Sequence, residues 1–112
     1  MSLLVQHLPD VTLIVVPSES LTAKHTTAFR IELERHVPPG RRAVLDLSQV
    51  QYVDSSGCGV LLNLHRRLRE TGGDLRVCGV VPAVRALFEQ LRLSRVLSIH
   101  SSRGTALRIL RG

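Results

Sequence analysis

Four consecutive residues, Asp54-Ser55-Ser56-Gly57, are the ones in this chain best suited to carry chemistry. A serine hydroxyl at the start of a helix lies near free backbone amides and the positive end of the helix dipole, so a phosphate there would be tolerated. The same residue types also form an ordinary helix N-terminus, because Asp and Ser accept hydrogen bonds from first-turn amides and Gly relieves crowding. On these residues alone both interpretations stay open.

The position of this turn favours a functional role. It follows strand-forming residues and opens a helix, which places it at the carboxyl edge of a sheet, where open α/β folds bind their ligands. A phosphate on serine would add a charge of about −1.5 to −2 to a surface that a partner must desolvate. Docking at that surface should then weaken. Asp54 could order the loop or meet a basic partner residue.

Strand-forming runs and amphipathic stripes alternate along the chain in the order β-β-α-β-α-β-α-β-α. This alternation predicts an α/β fold, a mixed β-sheet of about four to five strands with helices packed on it. The predicted segments are strands at 3–8 and 11–16, a helix at 22–37 capped by Thr22, a strand at 43–47, a helix after the Asp54 turn, a strand at 75–79, a helix starting at Pro82, a short strand within 93–99 and a terminal helix or turn at 102–110.

Length and composition limit the possible functions. With 112 residues, no run of about 20 apolar residues and no signal-peptide layout, we expect one soluble cytoplasmic domain covering residues 1–112. Cys58 and Cys78 lie among apolar residues and are predicted to be buried free thiols. The five histidines are scattered, with His65 predicted to face away from the sheet. No catalytic cluster, metal site or phosphate-binding glycine loop is evident, so neither an enzyme nor a cofactor is expected.

The positive charge of the chain raises the question of a nucleic-acid partner. Fifteen Lys and Arg residues face nine Asp and Glu residues, which gives a net charge of +6. The arginines are spread along the chain rather than concentrated in a tract, and aromatic residues, on which bases stack, make up only 3% of the chain. We therefore predict no nucleic-acid binding, and an acidic protein partner is favoured instead.

Two stretches resemble the STAS family, the sulfate-transporter and anti-sigma-factor-antagonist domains. Residues 44–48 (Val-Leu-Asp-Leu-Ser) and 53–62 (Val-Asp-Ser-Ser-Gly-Cys-Gly-Val-Leu-Leu) are similar to the hydrophobic-DLS and DSSG-x-G-x-L core of that family. Residues 72–75 and 82–88 continue the resemblance in register. This combination is far more specific than a bare DSSG.

The resemblance implies that Ser55, the first serine after the aspartate, is phosphorylated by a serine kinase that also acts as an anti-sigma factor. It further implies that the unphosphorylated domain binds this kinase, that a phosphatase restores it, and that the kinase rather than this chain brings ATP and magnesium. Asp54, Ser56, Gly57 and Thr22 are the partner-binding residues that it suggests. The chain is expected to be a monomer or a weak dimer.

One stretch departs from the family pattern. Single-domain antagonists usually have Gly-x-Leu-Asp before the first helix, in a loop that takes part in docking, whereas this chain has Glu19-Ser20-Leu21-Thr22. The kinase interface is therefore expected to differ. The alternative function is a non-phosphorylated STAS subunit docked to a membrane transporter of lipids or anions, and the basic surface is compatible with anionic headgroups.

Overall fold

The apolar runs of the sequence become the strands of a mixed β-sheet in the computed structural model, which describes residues 2–112. The strands are β1 (Leu4–His7), β2 (Thr12–Val15), β3 (Ser20–Leu21), β4 (Arg42–Asp46), β5 (Tyr52–Val53), β6 (Asp74–Cys78) and β7 (Ser98–His100). Five of them form one sheet in the order β1-β2-β4-β6-β7, and β3 pairs with β5. Only the β1–β2 hairpin is antiparallel in the part of the chain described.

The helices follow strands, as the parallel pairing requires. They are α1 (Thr26–His36), α2 (Ser55–Glu70), α3 (Pro82–Gln90) and α4 (Arg103–Arg111). Phe29 of α1, Leu61 of α2 and Phe88 of α3 are buried in one core with the sheet. Ala106 and Leu110 of α4 are buried in a second, smaller core on the opposite face.

Strand β4 explains why the middle of the sequence shows no alternation of apolar and polar residues. Ala43 and Leu45 belong to the larger core and Val44 to the smaller one, so consecutive residues are buried on opposite faces. A strand covered on both faces needs apolar residues at every position. The prediction of a mixed sheet of four to five strands with helices packed on it is confirmed.

The start of α1 differs from the prediction. The helix begins at Thr26, not Thr22, and its N-cap residue is His25, which makes no side-chain cap. The backbone N–H of His25 donates to the carbonyl of Thr22, which closes a turn before the helix. The Thr22 cap was therefore a wrong prediction, because residues 20–21 are extended in β3 and the chain must turn before it can coil.

His65 is also placed differently from the prediction. It lies on α2 and is buried, with 9% of its surface exposed, and its Nδ1 atom has no hydrogen-bond partner. Burial lowers the pKa of His65, and the nearby Arg69 and Arg76 lower it further, whereas Asp74 opposes this shift. Burial also lowers the pKa of His100, whose Nε2 atom has no partner either.

The segment between α3 and β7 is more irregular than the single strand predicted within 93–99. A 3-10 turn occupies Leu93–Arg95, and β7 begins only at Ser98. Arg92, which precedes this turn, has φ +60° and is the one non-glycine residue with positive φ among residues 2–112. A side chain in this left-handed region is strained.

His65 and His100, whose pKa values are lowered by burial, give a pH-dependent stability. Since their folded-state pKa values lie below the unfolded value of 6.5, the unfolded chain binds protons first as the pH falls. We expect the free energy of unfolding to be constant above about pH 6.5 and to decrease below it. Denaturant titrations between pH 7.5 and 5 measure this, and His65→Leu should flatten the curve. Equal slopes in both proteins would contradict the assignment.

The strained residue gives a second expected outcome. Arg92→Gly removes the Cβ that disfavours positive φ, and should raise the free energy of unfolding by about 1 kcal/mol. Arg95→Gly is the matched control, because Arg95 has an ordinary φ, and there glycine should lower stability. Thermal and urea unfolding distinguish the two. A loss of stability in Arg92→Gly would mean that its side chain has contacts outweighing the strain.

Candidate functional site

The short strands β3 and β5 bring two distant segments together. They run parallel, with Ser20 opposite Tyr52 and Leu21 opposite Val53. The ladder continues at both ends, because Gln51 N–H donates to the carbonyl of Glu19 at 2.8 Å and the N–H of the residue after β5 donates to Leu21 at 3.1 Å. The segment that contains residues 19–22, the stretch expected to depart from the family pattern, therefore lies against the serine turn.

Asp54 holds this junction with both oxygens of its carboxylate. Its Oδ1 accepts a hydrogen bond from Gly57 N–H at 3.0 Å, which caps α2. Its Oδ2 accepts one from Ala23 N–H at 2.9 Å, across 31 residues of sequence. The Gly57 bond, followed by the Ala23 bond, lowers the pKa of Asp54 below its usual value. The side chain is therefore an anion at neutral pH.

Ser55 and Ser56 are the first two residues of α2 and are both exposed. Their position at the helix N-terminus puts the hydroxyls near amides without intrahelical acceptors. Ser55 borders a groove of about 270 Å³, partly open to solvent, between this turn and α3. Tyr52, 58% exposed, also lines the groove, together with Ala83 and Leu87 of α3.

Gly57 permits the close approach of α2 to β3. It is buried, and a Cβ on it would lie 2.5 Å from the carbonyl oxygen of Leu21 and 2.8 Å from a methyl of Val53. A Cβ on Gly59, two residues further along α2, would meet nothing within 4 Å beyond its own helix. The glycine of the turn thus relieves crowding against the neighbouring strand rather than supplying an unusual backbone angle.

The structure brings the five residues singled out in the sequence into one region. Thr22 lies on the segment next to the turn, where its hydroxyl is 3.3 Å from His25 Nδ1 instead of capping α1. Sequence reasoning missed Ala23, which contributes only its backbone N–H, and it missed the groove. The available sequence signal for the groove was Tyr52, the single tyrosine of the chain, two residues before Asp54.

Other kinds of site find no support. Among residues 2–112, no three His, Cys, Asp or Glu side chains are placed to hold a metal ion. Cys58 and Cys78 are buried and unpaired, as predicted, and burial raises the pKa of each thiol to about 11. They are therefore unreactive at neutral pH. No helix in the described part of the chain is long and apolar enough to cross a membrane.

Comparison with known proteins identifies the family and several relatives. The STAS domain family model matches residues 2–106. The anti-sigma F factor antagonist of Paenibacillus polymyxa is 36% identical over 64 residues, which are 57% of this chain and 55% of that protein. BtrV of Bordetella bronchiseptica, named as a candidate anti-sigma factor antagonist, is 37% identical over 76 residues, 67% of this chain and 66% of that protein. The matches thus span about half to two thirds of these relatives.

Solved structures share the fold at low identity. A candidate anti-sigma factor antagonist from Thermotoga maritima superposes with a TM-score of 0.89 at 19% identity, covering 98% of this chain and 95% of that one. Phosphorylated SpoIIAA from Bacillus gives 0.70 at 16%, covering 96% and 99%. The murine anion transporter Slc26a9 gives 0.77 at 20%, covering 95% of this chain and 18% of that one.

Two glycine substitutions test the packing at the turn. Gly57→Ala should lower the free energy of unfolding by about 1–3 kcal/mol, because its methyl group must push β3 away from α2. Gly59→Ala is the matched control and should raise stability by up to about 1 kcal/mol through helix propensity. Urea unfolding measures the change in the free energy of unfolding in both variants. Equal effects would mean that α2 does not pack closely on β3.

Proposed function

Because the chain belongs to the STAS domain family, we propose that it is a phosphorylation-switched protein-binding module of a partner-switching pathway. With the Ser55 hydroxyl free, it binds a serine kinase that acts as an anti-sigma factor. The names of its relatives as anti-sigma factor antagonists support this. The observation that carries the proposal is the exposed Ser55 at the first position of α2, beside a groove.

The switch works through charge. The kinase transfers the γ-phosphoryl group of ATP to Ser55 Oγ, whose proton is lost, and releases ADP, while a phosphatase hydrolyses the ester. Phosphate adds a charge of about −1.5 to −2 at pH 7. The N-terminus of α2 tolerates this charge because its amides and dipole favour anions, so the fold persists.

The docking surface combines the serine turn with the groove. Exposed Tyr52 is a large, amphipathic side chain of the type that anchors protein interfaces. A partner that fills the groove lined by Tyr52, Ser55 and Leu87 must desolvate Ser55. A phosphate charge on Ser55 opposes this desolvation. Ser56, exposed next to Ser55, and Thr22, on the segment beside the turn, are further partner contacts in this proposal.

The remaining functional expectations follow from a binding role. The chain itself needs no cofactor and is not an enzyme, since catalysis belongs to its kinase and phosphatase partners. It acts in the cytoplasm as a single domain, as a monomer or a weak dimer, and binds no nucleic acid.

A second candidate function is a non-phosphorylated STAS subunit docked to a membrane transporter. The fold similarity to Slc26a9 favours it, as does the Glu19-Ser20-Leu21-Thr22 stretch, which lacks the usual docking pattern of antagonists. In this case Ser56 and Ser55 would serve only as helix N-terminal residues.

Binding measurements with serine variants separate the two functions. The chain is used to capture its partner from a lysate of its own cell, the partner is identified by mass spectrometry, and its affinity is measured with purified proteins. Ser55→Asp should weaken binding at least about tenfold, as expected for a buried unpaired charge. Ser55→Ala should bind constitutively and resist phosphorylation.

The controls separate the site from general charge effects. Ser94→Asp adds the same charge at an exposed residue of the 3-10 turn after α3 and should bind like the unaltered chain. Circular dichroism must show that all variants are folded. If Ser55→Asp and Ser55→Ala both bind with unaltered affinity, or the captured partner is a transporter, the phosphorylation switch is wrong.

A further inference from the structure

We infer that Asp54 is a latch that ties the 22–25 segment to the serine turn, and that a phosphate on Ser55 opens it. This inference rests on the proposed phosphorylation of Ser55. It adds that the modification alters the docking surface at a second place, on the far side of Asp54, besides placing charge at the serine itself.

Beyond the strand ladder, Asp54 makes the one side-chain hydrogen bond found between the two segments within residues 2–112. Up to Leu21, the 19–21 stretch is held by backbone hydrogen bonds to residues 51–54. After Leu21, the bond from Ala23 N–H to Asp54 Oδ2 continues the attachment. The other side-chain bonds of this segment are local, from Thr22 to His25 and from Thr26 to Ala23.

A phosphate on Ser55 competes with Asp54 for the same electropositive position. The Asp54 carboxylate accepts a hydrogen bond from the backbone N–H of Gly57, the third residue of α2. The phosphate would be attached to Ser55, the first residue of the same helix. Both groups are anions and both are stabilised by first-turn amides. Their mutual repulsion is relieved when Asp54 turns away from the helix, and its Oδ2 then leaves Ala23.

The consequence is a local opening. The β3–β5 ladder does not depend on the Asp54 side chain and should persist, because its bonds join backbone atoms. The part of the chain that loses its attachment to the serine turn is residues 22–25. The surface next to Ser55 is then less preorganised, which weakens binding of a partner that contacts it.

The amide of Ala23 reports the state of the latch directly. We would prepare the ¹⁵N-labelled full chain with phosphoserine incorporated at position 55 during synthesis, and measure water-exchange rates of backbone amides by NMR. The Ala23 amide should exchange about tenfold faster than in the unphosphorylated chain, as expected for loss of a hydrogen bond to a charged group. The Gln51 amide should keep its rate, and phosphoserine at position 94 should leave both unchanged.

Asp54→Asn separates the latch from the phosphate. Asparagine caps a helix as well as aspartate, but one of its oxygens is replaced by an NH₂ group that cannot accept from Ala23. This variant should exchange Ala23 as fast as the phosphorylated chain does, and phosphate at Ser55 should then add nothing further. An unchanged Ala23 rate after confirmed phosphorylation, or a further increase in the variant, would overturn the latch.

The exchange rate of the Ala23 amide is measured without the partner, so it tests the latch separately from the proposed function. A chain in which phosphate accelerates Ala23 exchange, but whose partner ignores Ser55, has the latch without the proposed function. A chain whose partner responds to Ser55, but whose Ala23 rate does not change, has the function without the latch.

Discussion

Burial of the central strand β4 on both faces is the constraint on which the rest of the structure depends. Ala43, Val44 and Leu45 exclude water only if helices cover both sides of the sheet. Parallel pairing of β4 with β2 and β6 covers one face, since the two crossovers supply α1 and α2. The C-terminal helix α4 covers the other face. Helices α3 and α4 therefore begin at the carboxyl ends of β6 and β7, and α2 begins beyond the carboxyl end of β4, after the short strand β5. The serine turn lies at this edge because it forms the start of α2, which comes after β4 in the chain.

Asp54 converts this general placement into a defined surface. Without its bond to Ala23, the segment before α1 would be hydrogen-bonded to residues 51–54 only through the backbone of residues 19–21. Its lowered pKa follows from the same two amides, so the charge of the site is a result of its architecture. Gly57 contributes by allowing α2 to approach Leu21. Local capping and long-range attachment thus share one carboxylate.

Much of this architecture could be predicted from the sequence, and the failures have common physical causes. Long apolar runs and the stripe Val84, Leu87, Phe88 identify strands and helices, since packing on a sheet imposes periodicity. Strands β3 and β5 contain two residues each, too few to show a period. Ala23 binds through its backbone, which leaves no trace in residue type. His65 is polar yet buried, because it lies on the side of α2 that packs against the rest of the domain.

The excess of arginine, which raised the question of a nucleic-acid partner, has a structural explanation in part. Arg41 donates to Thr12 and to the carbonyls of Leu8 and Pro9, which fixes the β1–β2 turn. Other arginines join residues far apart in sequence, and the pairs are Arg42 with the carbonyl of Leu110, Arg103 with Asp46 and Arg111 with Asp10.

These arginines attach α4 and the hairpin to the sheet, where the smaller core buries few residues. Guanidinium groups suit this task because they present several donors in a fixed plane and remain charged. Donors committed to carbonyls and carboxylates of the same chain are not free to contact phosphates of a nucleic acid. Several of the arginines therefore serve to hold the small domain together.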